Sequence, residues 1–273
     1  MPPQITNSVF IMTKKENQII TITSDWGIKD YYLAVVKGLL LSYCPEAVLV
    51  DISHSIQPFN TSEAAFVLKN SYLHFPENSW HVIEVSTDMP PDVPYLIVKY
   101  RDHFFVGRDD GVFSLIFDGN VPDEIFEIND PPETLFPMRD IYIPVLAQLF
   151  QGVDIRKIAH SVTSIRKKFP FMPTVTGNIV HGQVVYVDNY ENIFTNIHRS
   201  VFDKARTSSA RFTLYIGSSR VDEGLKISNN FQTASDSNIV TFFVNDYLVV
   251  AMKHGNAAGL LGGNEGETVM IEF

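Results

Sequence analysis

The apolar positions of this chain fall into short blocks whose period changes along its length. Gln18 to Thr23 is a β-branched run that ends in Ser24-Asp25-Trp26-Gly27, where Ser, Asp and Gly supply turn and helix-cap chemistry, so the pattern predicts a strand followed by a loop. Tyr31 to Tyr43 carries Leu33, Val36 and Leu40 at helical spacing, and Pro45 stops that helix before the strand Val48 to Ile52. Ser62 to Tyr72 reads as a second helix, and Trp80 to Val85 as a third strand after Phe75-Pro76. A βαβαβ alternation of this kind predicts a mainly parallel sheet. Tyr95 to Tyr100 and His103 to Gly107 read as a strand pair, and Ile141 to Phe150 as a helix.

After Pro173 the pattern changes to short strands separated by turns: Gly182 to Val187, Phe212 to Ile216, Asn238 to Val244, Tyr247 to Ala251 and Thr268 to Phe273, with Asn245-Asp246 as a tight hairpin turn. The expected fold class is α/β, with an N-terminal mainly parallel α/β sandwich domain (1–165), a linker (166–177) and a smaller all-β, barrel-like domain (178–273). No internal repeat or low-complexity tract interrupts this order.

Composition narrows the function classes. The 273 residues are 45% hydrophobic and 19% charged, which excludes a disordered or fibrous chain. Lys and Arg number 21 against 31 Asp and Glu, a formal charge of −10, so gripping nucleic acid or anionic lipid would require a local basic patch. The densest basic run, Arg166-Lys167-Lys168, reads as a solvated linker edge, and no nucleic-acid partner is expected. Cys44 alone cannot form an internal disulfide, and the eight histidines show neither a CxxC partner nor HExxH spacing, so no metal is expected. No positive n-region stands at the start, and no apolar run approaches the roughly 18 residues that span a bilayer. Val9 to Met12 before Lys14-Lys15 is too short for an export segment. The expectation is a cytoplasmic protein with no membrane partner.

In a parallel sheet, ligands sit beyond the carboxyl ends of the strands. Those positions are polar here: Asp25 and Asp30 after the first strand, Asp51, Ser53 and His54 at the second, Ser86, Thr87 and Asp88 after the third. Asp25 can accept both hydroxyls of a ribose; it can equally cap a helix, and the two roles are compatible. GxGxxG, GxxxxGK[ST] and GxSxG are all missing, so a pyrophosphate site, a P-loop and a nucleophile elbow lack their signatures, while a nucleoside without a phosphate chain remains open. Phe59 and Phe194 could stack on a base or pack in a core. His54 suits a hydrogen-bonded structural histidine better than a base.

Several segments together carry a resemblance. Thr23 to Asp30, Lys37-Gly38, Val50 to Ile56, Glu63-Ala64-Ala65, Phe105 to Gly111, Arg139 to Pro144, Asp188 to Ile197 and Gly255 to Ala258 occur in the order found in the S-adenosylmethionine hydroxide adenosyltransferase family, which includes the fluorinase and chlorinase. The resemblance implies a homotrimer with S-adenosylmethionine (SAM) at the subunit interface as substrate or ligand and no further cofactor. By position it implies that Asp25 holds the ribose hydroxyls, Phe59 flanks the ligand, Asp188 meets the methionine ammonium, and Asn192 and Phe194 face the adenine. Asn245 and His254 lie where the family places methionine and adenine contacts, with different residue types.

The chain also departs from that family. Its hydrolytic members carry an Asp, an Arg and a His that activate water; ungapped alignment puts Ser86, Val93 and Gln148 at those positions. Displacement at the 5′ carbon of SAM expels a neutral thioether, so no general acid is required, but water, with a pKa near 15.7, needs a base. Asp88, two residues beyond Ser86, is a substitute base, with Ser86 and Gln148 beside it in the candidate catalytic set. The expected function is cleavage of SAM to adenosine and L-methionine, weakly or with a non-standard catalytic set. The alternative is a catalytically degenerate SAM- or adenosine-binding module, and a purely structural trimer comes third.

Overall fold

The computed structural model of the protein describes residues 18–85, 90, 92–206, 211–229 and 239–273. The chain divides into two compact units, one ending at Phe169 and the other beginning at Pro170.

Among the described residues, the first unit is built on a seven-stranded sheet. Its strands are β1 (Gln18–Ser24), β2 (Ala47–Ser53), β3 (Trp80–Glu84), β4 (Tyr95–Tyr100), β5 (His103–Arg108), β6 (Glu124–Ile128) and β7 (Ala159–Ser161), in the order β2-β1-β3-β5-β4-β6-β7. The run β2-β1-β3-β5 is parallel, while β4, β6 and β7 pair antiparallel and form one edge. β3 and β5 are buried along their whole length, as expected of strands covered on both faces. β2, at the other edge, has no fully buried residue and exposes Val48 and Asp51.

Helix α1 (Tyr32–Tyr43) buries Val36 and Leu40 and ends at Cys44, just before Pro45. α2 (Thr61–Lys69) is capped by Asn60, whose side chain accepts from the Glu63 N–H at 3.0 Å; Glu63 in turn accepts from the Gln57 N–H at 2.7 Å. A π-type turn at Met138–Tyr142 leads directly into α4 (Ile143–Phe150), and the short α3 (Val112–Ile116) follows β5. Two apolar layers result. One, with Ile20, Val82, Leu40 and Leu146, lies under α1 and α4; the other, with Leu68, Phe105 and Phe113, lies under α2 and α3.

The second unit is an antiparallel sheet with β8 (Thr174–Thr176), β9 (Ile179–Val187), β10 (Ile193–His198), β11 (Phe212–Ile216), β12 (Ser219–Leu225), β13 (Ile239–Val244), β14 (Tyr247–Met252) and β15 (Thr268–Glu272), joined by α5 (Arg199–Ala205) and α6 (Ala257–Leu261). The order is β12-β11-β15-β9-β10-β14-β13, with β8 on β9. The segment after β12 comes back to β13 through Ile227 opposite Thr241 and the Ser228 N–H to Thr241 carbonyl bond of 2.8 Å, so the sheet curls toward closure. A mixed α/β unit followed by a curled β unit is the architecture expected from the hydrophobic pattern. β12 was invisible in that pattern because Ser-Arg-Val-Asp-Glu-Gly-Leu lacks apolar alternation.

Candidate functional site

The carboxyl ends of the parallel strands bring together residues far apart in sequence. Asp25 follows β1 and is half-buried; its Oδ2 accepts from the Phe59 N–H at 3.0 Å. It caps no helix, since α1 begins only at Tyr32, so the capping reading of Asp25 is replaced by a tie to the loop before α2. Phe59 is 61% exposed and has φ of 68°, a left-handed backbone that costs a bulky residue energy. The exposed ring of Phe59 thus stands on a strained backbone whose N–H is bound to Asp25.

His54 sits at the adjacent strand end as a buried connector. Ser24 Oγ lies 2.7 Å from its Nδ1, and Asp51 Oδ1 lies 3.1 Å from its Nε2. Lys37 of α1 completes the chain with its Nζ 2.6 Å from Asp51 Oδ2. Partial burial alone would raise the Asp51 pKa, but Lys37 and His54 hold its carboxyl below the usual range. Trp26 stacks on the His54 ring at 6.4 Å, and the Gly27 N–H donates to the His54 carbonyl at 2.6 Å. This network fixes the turn that presents Asp25. With Ser24 fully enclosed, it is a scaffold and not a nucleophilic triad.

At the end of β5, Asp109 accepts both oxygens' bonds from the Arg166 N–H at 2.9 and 2.8 Å, and Asp110 accepts from the Val112 N–H at 2.9 Å. Burial raises the pKa of both carboxyls. Gly111 has φ of 100°, and a Cβ there would stand 2.7 Å from Lys168 Cβ, so only glycine fits.

Sequence reading passed over Glu84, the last residue of β3. It is 3% exposed, stands in register with Ser24 of β1, and accepts a hydrogen bond from the Met138 N–H. Burial pushes its carboxyl up to about 8; Asp25 adds to the rise, while Arg108 and the Met138 N–H oppose it. The available signal was a single carboxylate inside the apolar run Trp80-His-Val-Ile-Glu-Val85.

Of the other expected catalytic residues, Ser86 and Asp88 lie outside the described residues. Gln148 is on the exposed side of α4, its Nε2 3.3 Å from the Pro144 carbonyl. Val93 is 2% exposed.

In the second unit, Asp188 organises the β9–β10 turn. Its Oδ1 accepts from the Tyr190 and Asn192 N–H groups, and its Oδ2 from Asn192 Nδ2, all at 2.9 Å. Phe194 stands opposite Tyr186 on β9, ring edge to face at 5.8 Å. The Ala258 N–H donates to the Glu191 carbonyl, which brings the exposed His254 segment to the same end of the sheet. Asn245, by contrast, is in the β13–β14 turn; the Arg199 N–H donates to the neighbouring Asp246 carbonyl beyond the far end of β10. Six residues of β10 thus separate it from the Asp188 turn, roughly 17 Å of strand. Among the described residues, no group of three His, Cys, Asp or Glu side chains is arranged to hold a metal ion, and no helix is long and apolar enough to cross a membrane.

Comparison with known proteins gives this geometry a context. An (R)-S-adenosyl-L-methionine hydrolase from Methanocaldococcus jannaschii is 28% identical over 191 residues, covering 66% of this chain and 67% of that one. A fluorinase from Actinoplanes sp. is 24% identical over 229 residues, covering 71% and 76%. The crystal structure of an uncharacterized conserved protein from Thermotoga maritima superposes with a TM-score of 0.84 at 26% identity, over 94% of this chain and 100% of that one. Residues 20–159 match the SAM hydroxide adenosyltransferase N-terminal domain and residues 182–270 its C-terminal domain. In both halves and in the right order, the chain therefore belongs to the SAM hydroxide adenosyltransferase family.

Proposed function

We propose that the protein binds SAM and cleaves it by displacement at the 5′ carbon, with water as nucleophile, to give adenosine and L-methionine. The observation that carries this reading is Asp25, a half-buried carboxylate at the carboxyl end of a parallel strand, braced by the Phe59 N–H beside an exposed aromatic ring. A carboxylate so placed can accept two ribose hydroxyls while Phe59 covers the sugar. The Asp188 turn, with Asn192 and Phe194, supplies polar and aromatic groups for the amino-acid and adenine ends. Family membership supports SAM as the ligand, and the relatives named SAM hydrolase and fluorinase both support chemistry on it. We further propose a homotrimer with the ligand at the subunit interface, and Asp88 with Ser86 and Gln148 as the residues nearest the family's reaction centre by alignment.

A second reading, binding without turnover, is supported by the ungapped placement of Ser86, Val93 and Gln148 where the family pattern carries its water-activating Asp, Arg and His. Overnight incubation with SAM in halide-free, chloride and fluoride samples, followed by chromatography for adenosine and its 5′-halo analogues, separates the two. Adenosine in the halide-free sample supports hydrolysis. Bound but intact SAM supports the binding module, and a 5′-halo product would replace water with halide as nucleophile.

A further inference from the structure

Glu84 presents an unusual expense in a strand that needs only packing. One carboxyl oxygen is satisfied by the Met138 N–H, but Oε2 is enclosed and has no hydrogen-bond partner among the described residues. Leaving a buried polar atom unmatched is strongly unfavourable, so a purely structural position would be filled by valine or isoleucine. The carboxyl lines a small cavity with Thr61, Arg108, Asp110 and Tyr142. About 10 Å³ of it is open to the centre of a water-sized sphere, roughly what one ordered water requires. Arg108 also lines the cavity, and its side chain is held by its neighbours. Its Nη2 donates to the Pro90 and Val93 carbonyls at 2.9 and 3.0 Å, and its guanidinium lies 4.6 Å from the Tyr95 ring centroid. The same arginine therefore bounds the cavity and holds the chain just beyond residues 86–89.

Glu84 also ends the strand beside the one that leads into Asp25. Its register partner on β1 is Ser24, one residue before Asp25, and neighbouring strands are about 4.8 Å apart.

We propose that this cavity holds the attacking water and that Glu84 accepts its proton. The proposal rests on the hydrolytic reading above. In the step, the water oxygen forms a bond to the 5′ carbon and the 5′ carbon–sulfur bond breaks, its electron pair passing to sulfur to leave methionine as a neutral thioether. One water proton moves to Glu84 Oε2 and is later released to solvent, so adenosine, methionine and one proton result from SAM and water. A group that titrates near 8 is largely protonated at neutral pH and becomes available as a base as pH rises toward and above 8. The groups facing it are Asp25 from the β1 end, Tyr95 from β4, Arg108 and Asp110 from the end of β5, and Tyr142 from the turn before α4. Burial raises both tyrosines and Asp110 as well, so the pH profile of Glu84→Gln decides which group carries the limb.

The test measures adenosine formation across pH for the wild type, Glu84→Gln, Glu84→Asp and Asp88→Asn, with SAM affinity measured by calorimetry on each. Gln keeps an acceptor for the Met138 N–H and so preserves the packing role. The expected result is a wild-type rate that climbs with pH and levels above about 8, a loss of about 100- to 10,000-fold in Glu84→Gln with SAM affinity nearly unchanged, and a retained pH limb in Glu84→Asp and Asp88→Asn. The assignment is overturned if Glu84→Gln keeps the wild-type rate and pH profile, if its loss lies wholly in affinity, or if Asp88→Asn alone removes the limb. Turnover that ignores Glu84 overturns this assignment and leaves the hydrolytic reading standing. SAM bound without any adenosine overturns both the assignment and hydrolysis, and absence of SAM binding removes the whole functional reading.

Discussion

The backbone N–H of Phe59 donates to Asp25 Oδ2 at 3.0 Å, fastening the turn after β1 to the loop that leads into α2. Hydrogen bonds to a charged group contribute about 1.5 to 3 kcal/mol. If Asp25 also takes ribose hydroxyls, Asp25→Ala weakens SAM or adenosine binding by roughly ten- to a hundredfold. Calorimetric titration beside thermal melting checks this. Wild-type affinity with a lowered melting point would restrict Asp25 to bracing the loop.

Glu84 sets a pH dependence of stability with a defined sign. Its carboxyl titrates near 8 when folded against an ordinary value of 4.5, so between those values the folded chain keeps a proton that the unfolded chain has released. Stability accordingly falls as pH rises through that window and levels above it. Glu84→Gln removes the group, so its stability should gain on the wild type from about pH 5 to pH 8, by at most a few kcal/mol, seen as a rising difference in melting temperature. Parallel melting curves across that range would contradict the buried carboxyl.

His81 acts in the opposite direction. It is fully enclosed, with Nδ1 2.7 Å from Thr21 Oγ1 and Nε2 3.1 Å from His103 Nδ1, and burial, aided by His103, lowers its pKa from 6.5 to about 3. The unfolded chain takes up a proton below 6.5 that the folded one refuses. Its stabilising contribution is therefore complete above about pH 6.5 and lost progressively toward pH 3. In His81→Phe the acid slope of a melting series should shrink, while stability at neutral pH drops by about 1 to 3 kcal/mol because Thr21 and His103 lose a partner.

Restoring the family's water-activating residues one at a time should give unequal results. Gln148 is exposed on α4, and Gln148→His should leave the melting temperature nearly unchanged. Val93 is 2% exposed, so Val93→Arg must bury a guanidinium or displace the chain, at a cost of about 3 kcal/mol or more. Chemical denaturation of the two single variants measures the difference. Equal stability would mean that the chain around Val93 opens readily.

Assembly is checked independently by light scattering or analytical ultracentrifugation at micromolar concentration. A mass near three chains is expected. A monodisperse monomer would remove the shared ligand site with it.

The succession of elements was written in local pattern because strand and helix periods, Pro45 and the Asn60 cap act over a few residues. Asp25 stood out for the same reason: strand ends are local, and a parallel sheet places its ligands there. Register and burial, however, belong to partners that local sequence does not name. Glu84 looked like one charge in an apolar run until β3 was set between β1 and β5, which placed it across from Ser24 and against Arg108. His54 acquired its role only when β2 lay beside β1, 30 residues away from Ser24. Asn245 and Asp188 were both tied to one ligand by the resemblance, yet antiparallel pairing of β10 with β14 sends them to opposite strand ends. The sequence by itself determined the βαβαβ alternation, several of the strands after Pro173 and the polar residues that gather at the strand ends, but not β6, β7, β10 or β12. Only the tertiary structure decided which carboxylate is buried with one oxygen unmatched, because desolvation depends on every neighbour at once.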